Sequence, residues 1–305
     1  MKKGTHSYIE DPRNQNIIIF VRGKFFSRND AKISVFDSGF LLGDGVWEGI
    51  RLYNGSLCFI EDHLQRLFDG ANKLKINIGQ SKDEIKNLIY KTIDVNKMVS
   101  DVHIRIIISR GLKTTPYQHP NANIGGPSIV IIPEYKIANL NMFEKGIRLC
   151  LVDTIRGTPN SQNPQLNTLS KLNCIFGCLE ADEKGFDEGI MLDINGNVAT
   201  CNSTNLFIVK NGEVWTSTNK YCLPGITRKN IINICKDNKI VIKEKKFSIE
   251  DVYKAEEVFV TGTFAGIIPA IQVDNYKIST GKYGPLTHKL FYLYKNMIKT
   301  IYSKA

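Results

Sequence analysis

Two cationic side chains, His63 and Arg66, lie three residues apart in a segment whose apolar residues recur at helical spacing. Residues three apart on a helix share a face, so the imidazole and the guanidinium could meet one phosphate group together. A solvated polar helix face explains the same spacing equally well. Both interpretations need a helix here, and its apolar face is predicted from Leu64, Leu67, Phe68, Ala71 and Leu74.

Three further stretches place hydroxyl and amide groups where an anion could bind. Residues 223–228 (LPGITR) end a loop and open a helix, where free N–H groups and the helix dipole favour anions. Residues 261–263 (TGT) follow an apolar strand, and residues 202–205 (NSTN) are a cluster of short hydrogen-bonding side chains. A plain helix start or an ordinary turn accounts for each stretch on its own.

Other kinds of chemistry find little support. Lys171 is one lysine among many, and composition alone does not distinguish it. The five histidines lack metal-ligand spacing and no Ser–His–Asp arrangement stands out, so we expect no metal site. The seven cysteines are scattered, odd in number and without a C-x-x-C pair, which favours reduced thiols in a cytosolic protein over a disulfide framework.

The elements that must position these groups follow from hydrophobic periodicity and turn signals. Strands are predicted at 17–21, 32–36, 102–109, 128–133, 147–152, 239–243, 257–261 and 267–273. Further helices are predicted from Ser81, where Glu84 completes a capping box, and at about 168–184, 226–236 and from 285 onward. Asn-Gly pairs at 54–55, 195–196 and 211–212 predict tight hairpins, and residues 39–45 (GFLLGDG) predict a flexible loop.

This mixture of hairpins and helices predicts an α+β fold rather than strict βαβ alternation. No G-x-G-x-x-G follows a strand, which disfavours a dinucleotide-binding fold. Because residues 134–145 are polar and interrupt the pattern, we expect two domains, a smaller α+β domain at 1–135 and a larger one at 136–305.

The composition, with 42% hydrophobic residues and a formal net charge of +10, is that of a globular protein with a basic surface. No apolar run approaches the roughly 20 residues that span a bilayer, and the N-terminus lacks the apolar segment of a secretory signal. The basic residues are spread along the chain, which favours a lysine-rich surface over a nucleic-acid binder. We therefore expect a cytoplasmic protein without membrane or nucleic-acid partners.

Five stretches occur in an order and spacing that a known family shares. They are GDGVWEGIR (43–51), HLQRL (63–67), LSKLN (169–173), LPGITR (223–228) and VFVTGT (258–263). Together they resemble the fold-type IV pyridoxal-phosphate family, which holds branched-chain and D-amino-acid aminotransferases and aminodeoxychorismate lyase. The likeness runs from about residue 17 to 295. It implies a two-domain α+β architecture with pyridoxal 5′-phosphate in the cleft between the domains.

The resemblance also implies roles for individual residues. Lys171 resembles the lysine that holds the cofactor covalently and then moves a proton between the substrate α-carbon and the cofactor. Cofactor contacts are expected from Arg66, Ile226, Thr227, Thr263, Thr200 and Asn205, the first four of them at the phosphate. Substrate contacts are expected from Trp47, Arg51, His103, Arg105 and Phe264.

Two departures from the family pattern stand out. Thr200 replaces a glutamate that pairs with the pyridine nitrogen of the cofactor. A neutral hydroxyl does not favour the protonated ring by charge, so we expect weaker ring protonation and slower transamination, unless a water or another carboxylate restores the contact. His103 replaces a tyrosine of the branched-chain group, and Thr115 and Tyr117 replace the arginine and histidine of the D-amino-acid group.

The sequence thus predicts an aminotransferase that moves an amino group between an amino acid, with branched-chain amino acids as candidates, and a 2-oxo acid. One alternative is a lyase of the 4-amino-4-deoxychorismate lyase type, which uses the same cofactor and lysine without returning an amine. Another is a non-catalytic binding protein on the same fold. Family members are at least dimers, so we expect a homodimer or a larger assembly.

Overall fold

The computed structural model describes residues 5, 8–139 and 141–303. The helices are α1 (Ser38–Leu42), α2 (Ile60–Lys73), α3 (Lys82–Val95), α4 (Asn141–Lys145), α5 (Leu172–Glu183), α6 (Ile226–Asp237), α7 (Ile249–Tyr253) and α8 (Pro285–Tyr302). The strands are β1 (Tyr8–Ile9), β2 (Ile18–Val21), β3 (Lys24–Ser27), β4 (Gly45–Tyr53), β5 (Ser56–Leu57), β6 (Val102–Ser109), β7 (Leu112–Lys113), β8 (Asn123–Ile124), β9 (Ser128–Tyr135), β10 (Ile137–Ala138), β11 (Ile147–Leu151), β12 (Glu188–Leu192), β13 (Val198–Cys201), β14 (Asn205–Lys210), β15 (Glu213–Thr216), β16 (Ile242–Glu244), β17 (Glu257–Gly262), β18 (Gly266–Val273) and β19 (Tyr276–Lys277).

The first compact unit comprises Ile9–Ile137 and Leu166–Lys171. Its antiparallel sheet has the strand order β3-β2-β9-β6-β4-β5. Side chains alternate between the two faces of a strand, and every second residue of β6 is a fully buried aliphatic one. This face packs with α2 and α3 into one apolar core. The opposite face carries the polar residues of β4 and β6.

The second compact unit comprises Tyr8, Ala138–Gln165 and Leu172–Ser303. Its mixed sheet has the strand order β13-β12-β11-β18-β17-β14-β15-β16, and β19 pairs with β18. One face of the sheet is covered by a core that includes residues of α7, and the other by a core that includes residues of α6 and α8. The α5 helix packs against β12 through Gly177 and Ala181.

Several local predictions are confirmed. The β4–β5 hairpin turns at Asn54 and Gly55, both with positive φ, as a type I′ turn requires. The α3 helix has the predicted capping box, in which Ser81 and Glu84 each accept a hydrogen bond from the other's backbone N–H. Antiparallel hairpins and helices together confirm the predicted α+β class.

Three local predictions are wrong. Residues 32–36 do not form a strand but an irregular segment that leads into α1. Residues 39–45 are not a flexible loop, because α1 ends in a left-handed cap at Gly43 and β4 starts at Gly45. The helix predicted from about residue 168 begins only at Leu172, since Thr168 instead bridges to Val46 beside β4.

The division into domains at 1–135 and 136–305 stays a prediction. The compact units differ from it in that Leu166–Lys171 lies with the first unit. None of the helices described is both long and apolar enough to cross a membrane.

Candidate functional site

Four residues predicted to contact substrate lie on one face of the first unit's sheet. Strand alternation places Trp47 and Arg51 on this face of β4, and the register sets Arg51 opposite His103 on β6. Arg105 lies opposite Gly49 in the next pair. A Cβ at Gly49 would lie 3.0 Å from the His103 ring, so glycine leaves room for this imidazole above the sheet.

The Trp47 indole brings two cations close together. The Arg105 guanidinium carbon lies 4.0 Å from the centroid of the Trp47 ring, and the Lys171 Nζ lies 5.6 Å from it. Both distances are within the range of cation–π attraction. The indole N–H donates to the Thr168 carbonyl at 3.1 Å, which fixes the orientation of the ring. A potential nucleophile and a carboxylate-binding cation therefore share one aromatic support.

The segment before Lys171 pairs with the start of β4 like an additional edge strand. Trp47 N donates to the Asn167 carbonyl at 3.0 Å, and the Asn167 side-chain amide donates to the Trp47 carbonyl at 2.8 Å. Leu169 N donates to the Gly45 carbonyl at 2.9 Å. A Cβ at Gly45 would lie 2.5 Å from the Ile108 carbonyl oxygen. Glycine is thus needed at position 45 for backbone approach, not for flexibility.

Arg66 lies on the core side of the same sheet, where Glu48 binds it. Its Nε donates to Glu48 Oε1 at 2.7 Å and its Nη2 to Oε2 at 2.8 Å, a bidentate arrangement. His63 Nδ1 lies 2.7 Å from the same carboxylate, and both Glu48 and His63 are fully buried. The predicted face shared by His63 and Arg66 is therefore real, and both side chains converge on Glu48.

The Glu48 carboxylate is held in its charged form. Burial raises its pKa, but the charge of Arg66 and the hydrogen bonds from His63 and Arg66 outweigh this effect and lower the pKa to about 2. An ionised carboxylate only accepts, so His63 Nδ1 carries the proton of their hydrogen bond. The arrangement fixes the Arg66 guanidinium by two bonds in a defined orientation.

In the second unit, α6 begins at Ile226 as predicted, without a side-chain cap on its first turn. The N-cap residue is Gly225, which offers no side-chain oxygen to the free N–H groups of Ile226 and Thr227. The Thr227 side chain is buried in this first turn, so its hydroxyl lies close to the same amides. This helix start therefore has the backbone and hydroxyl donors that an anion requires.

Asn205 supports the loop that leads into this helix. Its side-chain amide donates to the Leu223 carbonyl at 3.0 Å. A Cβ at residue 225 would lie 2.1 Å from the Asn205 Oδ1, so the loop tolerates only glycine there without a shift. Asn205 thus fixes the position of the first turn of α6.

The turn after β17 lies at the same end of this sheet. Asn205 at the start of β14 pairs directly with Thr261 near the end of β17, and Thr263 and Phe264 follow in the turn to β18. Thr263 and Phe264 are both half-buried. The Thr261 hydroxyl is buried and finds no hydrogen-bond partner among the described residues. A buried hydroxyl in this state is suited to a bound acceptor.

Thr200 lies at this end too, in a buried hydrogen-bond chain. Its hydroxyl donates to the Thr204 carbonyl at 2.7 Å, and the Thr204 hydroxyl donates to Glu188 Oε2 at 2.7 Å. The proton of the Thr200 hydroxyl is therefore already used, and the oxygen can only accept from a further group. No carboxylate stands directly on the Thr200 hydroxyl within the described residues.

The predicted site residues thus form two groups, one in each unit. The first unit brings Lys171, Trp47 and Arg105 together on one face with Arg51 and His103, and holds Arg66 on the other side of the sheet. The second brings together one end of a sheet and a helix start, with the residues Thr200, Asn205, Ile226, Thr227, Thr263 and Phe264.

Two contributing residues were missed from the sequence. Glu48 stands in the motif GDGVWEGIR, but its role depends on strand alternation, which points it to α2. Thr261 stands two residues before Thr263, and the sequence indicates it only as part of an anion-binding stretch. Its buried hydroxyl is visible only in the fold.

The donors at the second unit's sheet end fit a phosphate ester. Uncapped amides at Ile226 and Thr227 and the unpartnered Thr261 hydroxyl are neutral donors, which suit a phosphate dianion better than a metal ion. No group of three or more His, Cys, Asp or Glu side chains in the described ranges could hold a metal.

Comparisons with known proteins cover most of the chain. A family model described as amino-transferase class IV matches residues 45–273. The branched-chain-amino-acid aminotransferase-like protein 2 of Arabidopsis thaliana is 35% identical over 286 residues, which are 94% of this chain and 51% of that protein. The D-alanine aminotransferase of Staphylococcus aureus strain MSSA476 is 31% identical over 277 residues, 89% of this chain and 94% of that protein. The chain therefore spans about half the length of its Arabidopsis relative.

Solved structures match over nearly the whole chain. The branched-chain amino acid aminotransferase of Escherichia coli superimposes with a TM-score of 0.87 at 30% identity, covering 92% of this chain and 94% of that one. A branched-chain amino acid aminotransferase of T.th. complexed with N-(5′-phosphopyridoxyl)-L-glutamate gives a TM-score of 0.85 at 26% identity, covering 93% and 95%.

Proposed function

Because the chain belongs to the class IV aminotransferase family, we propose that it is a pyridoxal 5′-phosphate-dependent aminotransferase. It moves an amino group between an amino acid and a 2-oxo acid. The observation that carries this proposal is the Lys171 amine beside the Trp47 ring on which Arg105 also stacks. An amine that can form a covalent bond and a cation that can bind a carboxylate are what this reaction needs.

The cofactor, when bound, supplies an electron-withdrawing ring that stabilises negative charge at the substrate α-carbon. We assign its phosphate to the amides of Ile226 and Thr227 and to the hydroxyls of Thr227, Thr261 and Thr263. The uncapped start of α6 and the unpartnered Thr261 hydroxyl support this assignment. Arg66 adds the positive charge, and Glu48 keeps its guanidinium oriented.

Lys171 has two tasks in this proposal. Its Nζ holds the cofactor covalently, and after release it moves a proton at the substrate α-carbon. A lysine suits both tasks because its amine is nucleophilic when neutral and is a base whose pKa the surroundings can adjust. The pairing of residues 167–169 with β4 keeps the lysine next to Trp47.

We assign the substrate to the exposed face of the first unit's sheet. Arg105 and Arg51, with His103 opposite Arg51, would bind carboxylate groups, and Trp47 and Phe264 would contact the apolar side chain. Branched-chain amino acids are the proposed donors, because the structural neighbours described above are branched-chain amino acid aminotransferases. The similar D-alanine aminotransferase makes D-amino acids the second group to assay.

Thr200 is assigned to the pyridine nitrogen, with Asn205 as support for the loop beside it. Because the Thr200 hydroxyl already donates to Thr204, it offers the nitrogen only a neutral acceptor. A neutral acceptor stabilises a protonated ring less than a carboxylate does. We propose that ring protonation is correspondingly weak in this protein.

We further propose that the protein is cytoplasmic and works as a homodimer or a larger assembly. The free state of the seven cysteines supports a reducing compartment. The exposed apolar residues of α5, described below, support self-association.

The test begins with the purified protein and added pyridoxal 5′-phosphate. We expect a yellow protein that borohydride bleaches with permanent labelling of the peptide that contains Lys171, and no labelling in the Lys171→Arg variant. Glutamate formed from 2-oxoglutarate and a panel of L- and D-amino acids then measures transamination. A labelled protein that eliminates without transferring an amine is a lyase, and an unlabelled protein refutes the proposal.

A further inference from the structure

The α5 helix is apolar on two opposite sides, and only one of them is packed. Gly177 and Ala181 face β12 and are buried. The opposite side carries four large apolar residues, which we call the α5 stripe: Leu172, Ile175, Phe176 and Leu179, with exposed fractions of 59%, 49%, 49% and 52%. They recur at i, i+3, i+4 and i+7, the spacing of a helix face that packs against another element.

A loop residue extends this apolar surface. The Asn173 side-chain amide donates to the Ile155 carbonyl at 2.8 Å, so Ile155 lies next to the first turn of α5. Ile155 is itself 54% exposed. Because about half of each of these five side chains is open to solvent, they expose roughly 500 Å² of apolar surface per chain, on the scale of large side chains. Monomeric proteins rarely expose more than a few hundred Å² in one patch.

The size of the patch suits a second copy of the same chain. Two such surfaces would remove about 1,000 Å² from water, which reaches the lower bound of specific interfaces before any surrounding contacts are counted. A two-fold axis brings the same surface of each copy together, so no second type of patch is required.

The charges of α5 favour one orientation. The stripe itself carries no charged residue, and the acidic residues Glu180, Asp182 and Glu183 all lie in the last turns of the helix. A parallel pair would bring these acids against each other. An antiparallel pair places them beside the partner's first turn, where the helix dipole is positive.

We propose that the α5 stripe is the surface through which two copies of this chain associate, with their α5 helices crossing antiparallel about a two-fold axis. The proposal holds whatever reaction the protein catalyses. Since α5 starts at the residue that follows Lys171, association would also order the chain immediately after that lysine.

Sedimentation velocity of the full-length protein over a range of concentrations tests this proposal. We expect the wild type to be a dimer or a multiple of it, and Ile175→Glu to raise the dimer dissociation constant about 100-fold or more, because the charge is buried in both copies. Ile301→Glu is the matched control, since Ile301 is 54% exposed on α8, and it should associate like the wild type. Circular dichroism confirms that each variant is folded.

A charge-complementation experiment identifies the partner as a second copy. Phe176→Lys and Phe176→Glu should each dissociate alone, and a mixture of the two should recover dimers. A monomeric wild type, an Ile175→Glu variant that associates like the wild type, or equal dissociation of the Ile301→Glu control would each overturn the proposal. A mixture of the Phe176 variants that stays monomeric would overturn it as well.

Discussion

Replacing Glu48 by glutamine should destabilise the first unit and remove part of its pH dependence. The substitution keeps the size of the side chain but takes away the charge that Arg66 and His63 face. Arg66 then becomes a cation with only 15% of its side chain exposed and no carboxylate beside it in this cluster. Breaking one partner of a buried ion pair is costly because the remaining charge loses its compensation.

The magnitude follows from the pKa of Glu48. In the fold its pKa is about 2, against an ordinary value of 4.5. A difference of between two and three units corresponds to about 3 kcal/mol of folding free energy at neutral pH. Because the folded pKa is the lower one, this stabilisation is complete above 4.5 and is lost as the pH falls toward 2. It drops by roughly 1 kcal/mol at pH 4 and roughly 2 kcal/mol at pH 3.

Tryptophan fluorescence can follow this unit separately, because the chain has two tryptophans and they lie in different units. In a Trp215→Phe background, urea unfolding monitored through Trp47 should give a free energy of unfolding about 3 kcal/mol lower for Glu48→Gln at pH 7. Glu61→Gln is the control, since Glu61 pairs with Lys86 at 2.7 Å but is 68% exposed, and it should change stability by less than about 1 kcal/mol. A Glu48→Gln protein as stable as the wild type, or equally sensitive to pH between 5 and 3, would refute the reasoning.

Three further substitutions test other parts of the structure. Thr261→Val removes the unpartnered hydroxyl at equal size, and we expect about tenfold weaker binding of pyridoxal 5′-phosphate, measured by absorbance titration. Unchanged affinity would remove Thr261 from the phosphate site. Thr200→Glu adds the charge that a protonated ring nitrogen favours, so transamination should become faster and the absorption spectrum of the bound cofactor should shift. If rate and spectrum both stay the same, ring protonation does not depend on residue 200. Gly45→Ala forces a Cβ against the Ile108 carbonyl and should lower stability by about 1–3 kcal/mol, whereas Gly126→Ala, with open space around it, should not. Equal thermal midpoints for these two variants would contradict the packing argument.

The parts of the fold that the sequence predicts well are those with local causes. The Asn54-Gly55 hairpin needs only residues that tolerate positive φ, and the α3 capping box needs only Ser81 and Glu84. Strand β6 is predicted with its observed limits because its aliphatic residues alternate strictly. Each of these signals lies within a few residues of the element that it specifies.

The wrong predictions concern segments whose conformation depends on distant partners. The glycines at 43 and 45 suggest a flexible loop, yet the structure uses them where Ser170 and Ile108 approach the backbone. Residues 168–171 have helical composition, but pairing with β4 keeps Thr168 extended. Such contacts join residues that are more than 100 positions apart, so periodicity in a short window cannot detect them.

The site shows the same division. A resemblance named Arg66 and Thr227, and the fold adds what orients them: Glu48 for the arginine and Asn205 for the loop before α6. These supporting roles depend on the face of a strand and on register. A residue type in a motif does not contain that information.

Strand β4 shows why a single motif carries both stability and chemistry. Its even-numbered residues, Val46 to Leu52, are buried in the core, and Glu48 is the one charged member of that row. Its odd-numbered residues include Trp47 and Arg51 on the opposite face. Because period-two alternation separates the two rows, residues on the outer face can be exchanged without repacking the core. The replacement of a tyrosine by His103, which stands opposite Arg51 on that face, is a change that this arrangement permits, whereas any loss of Glu48 would reach Arg66 as well.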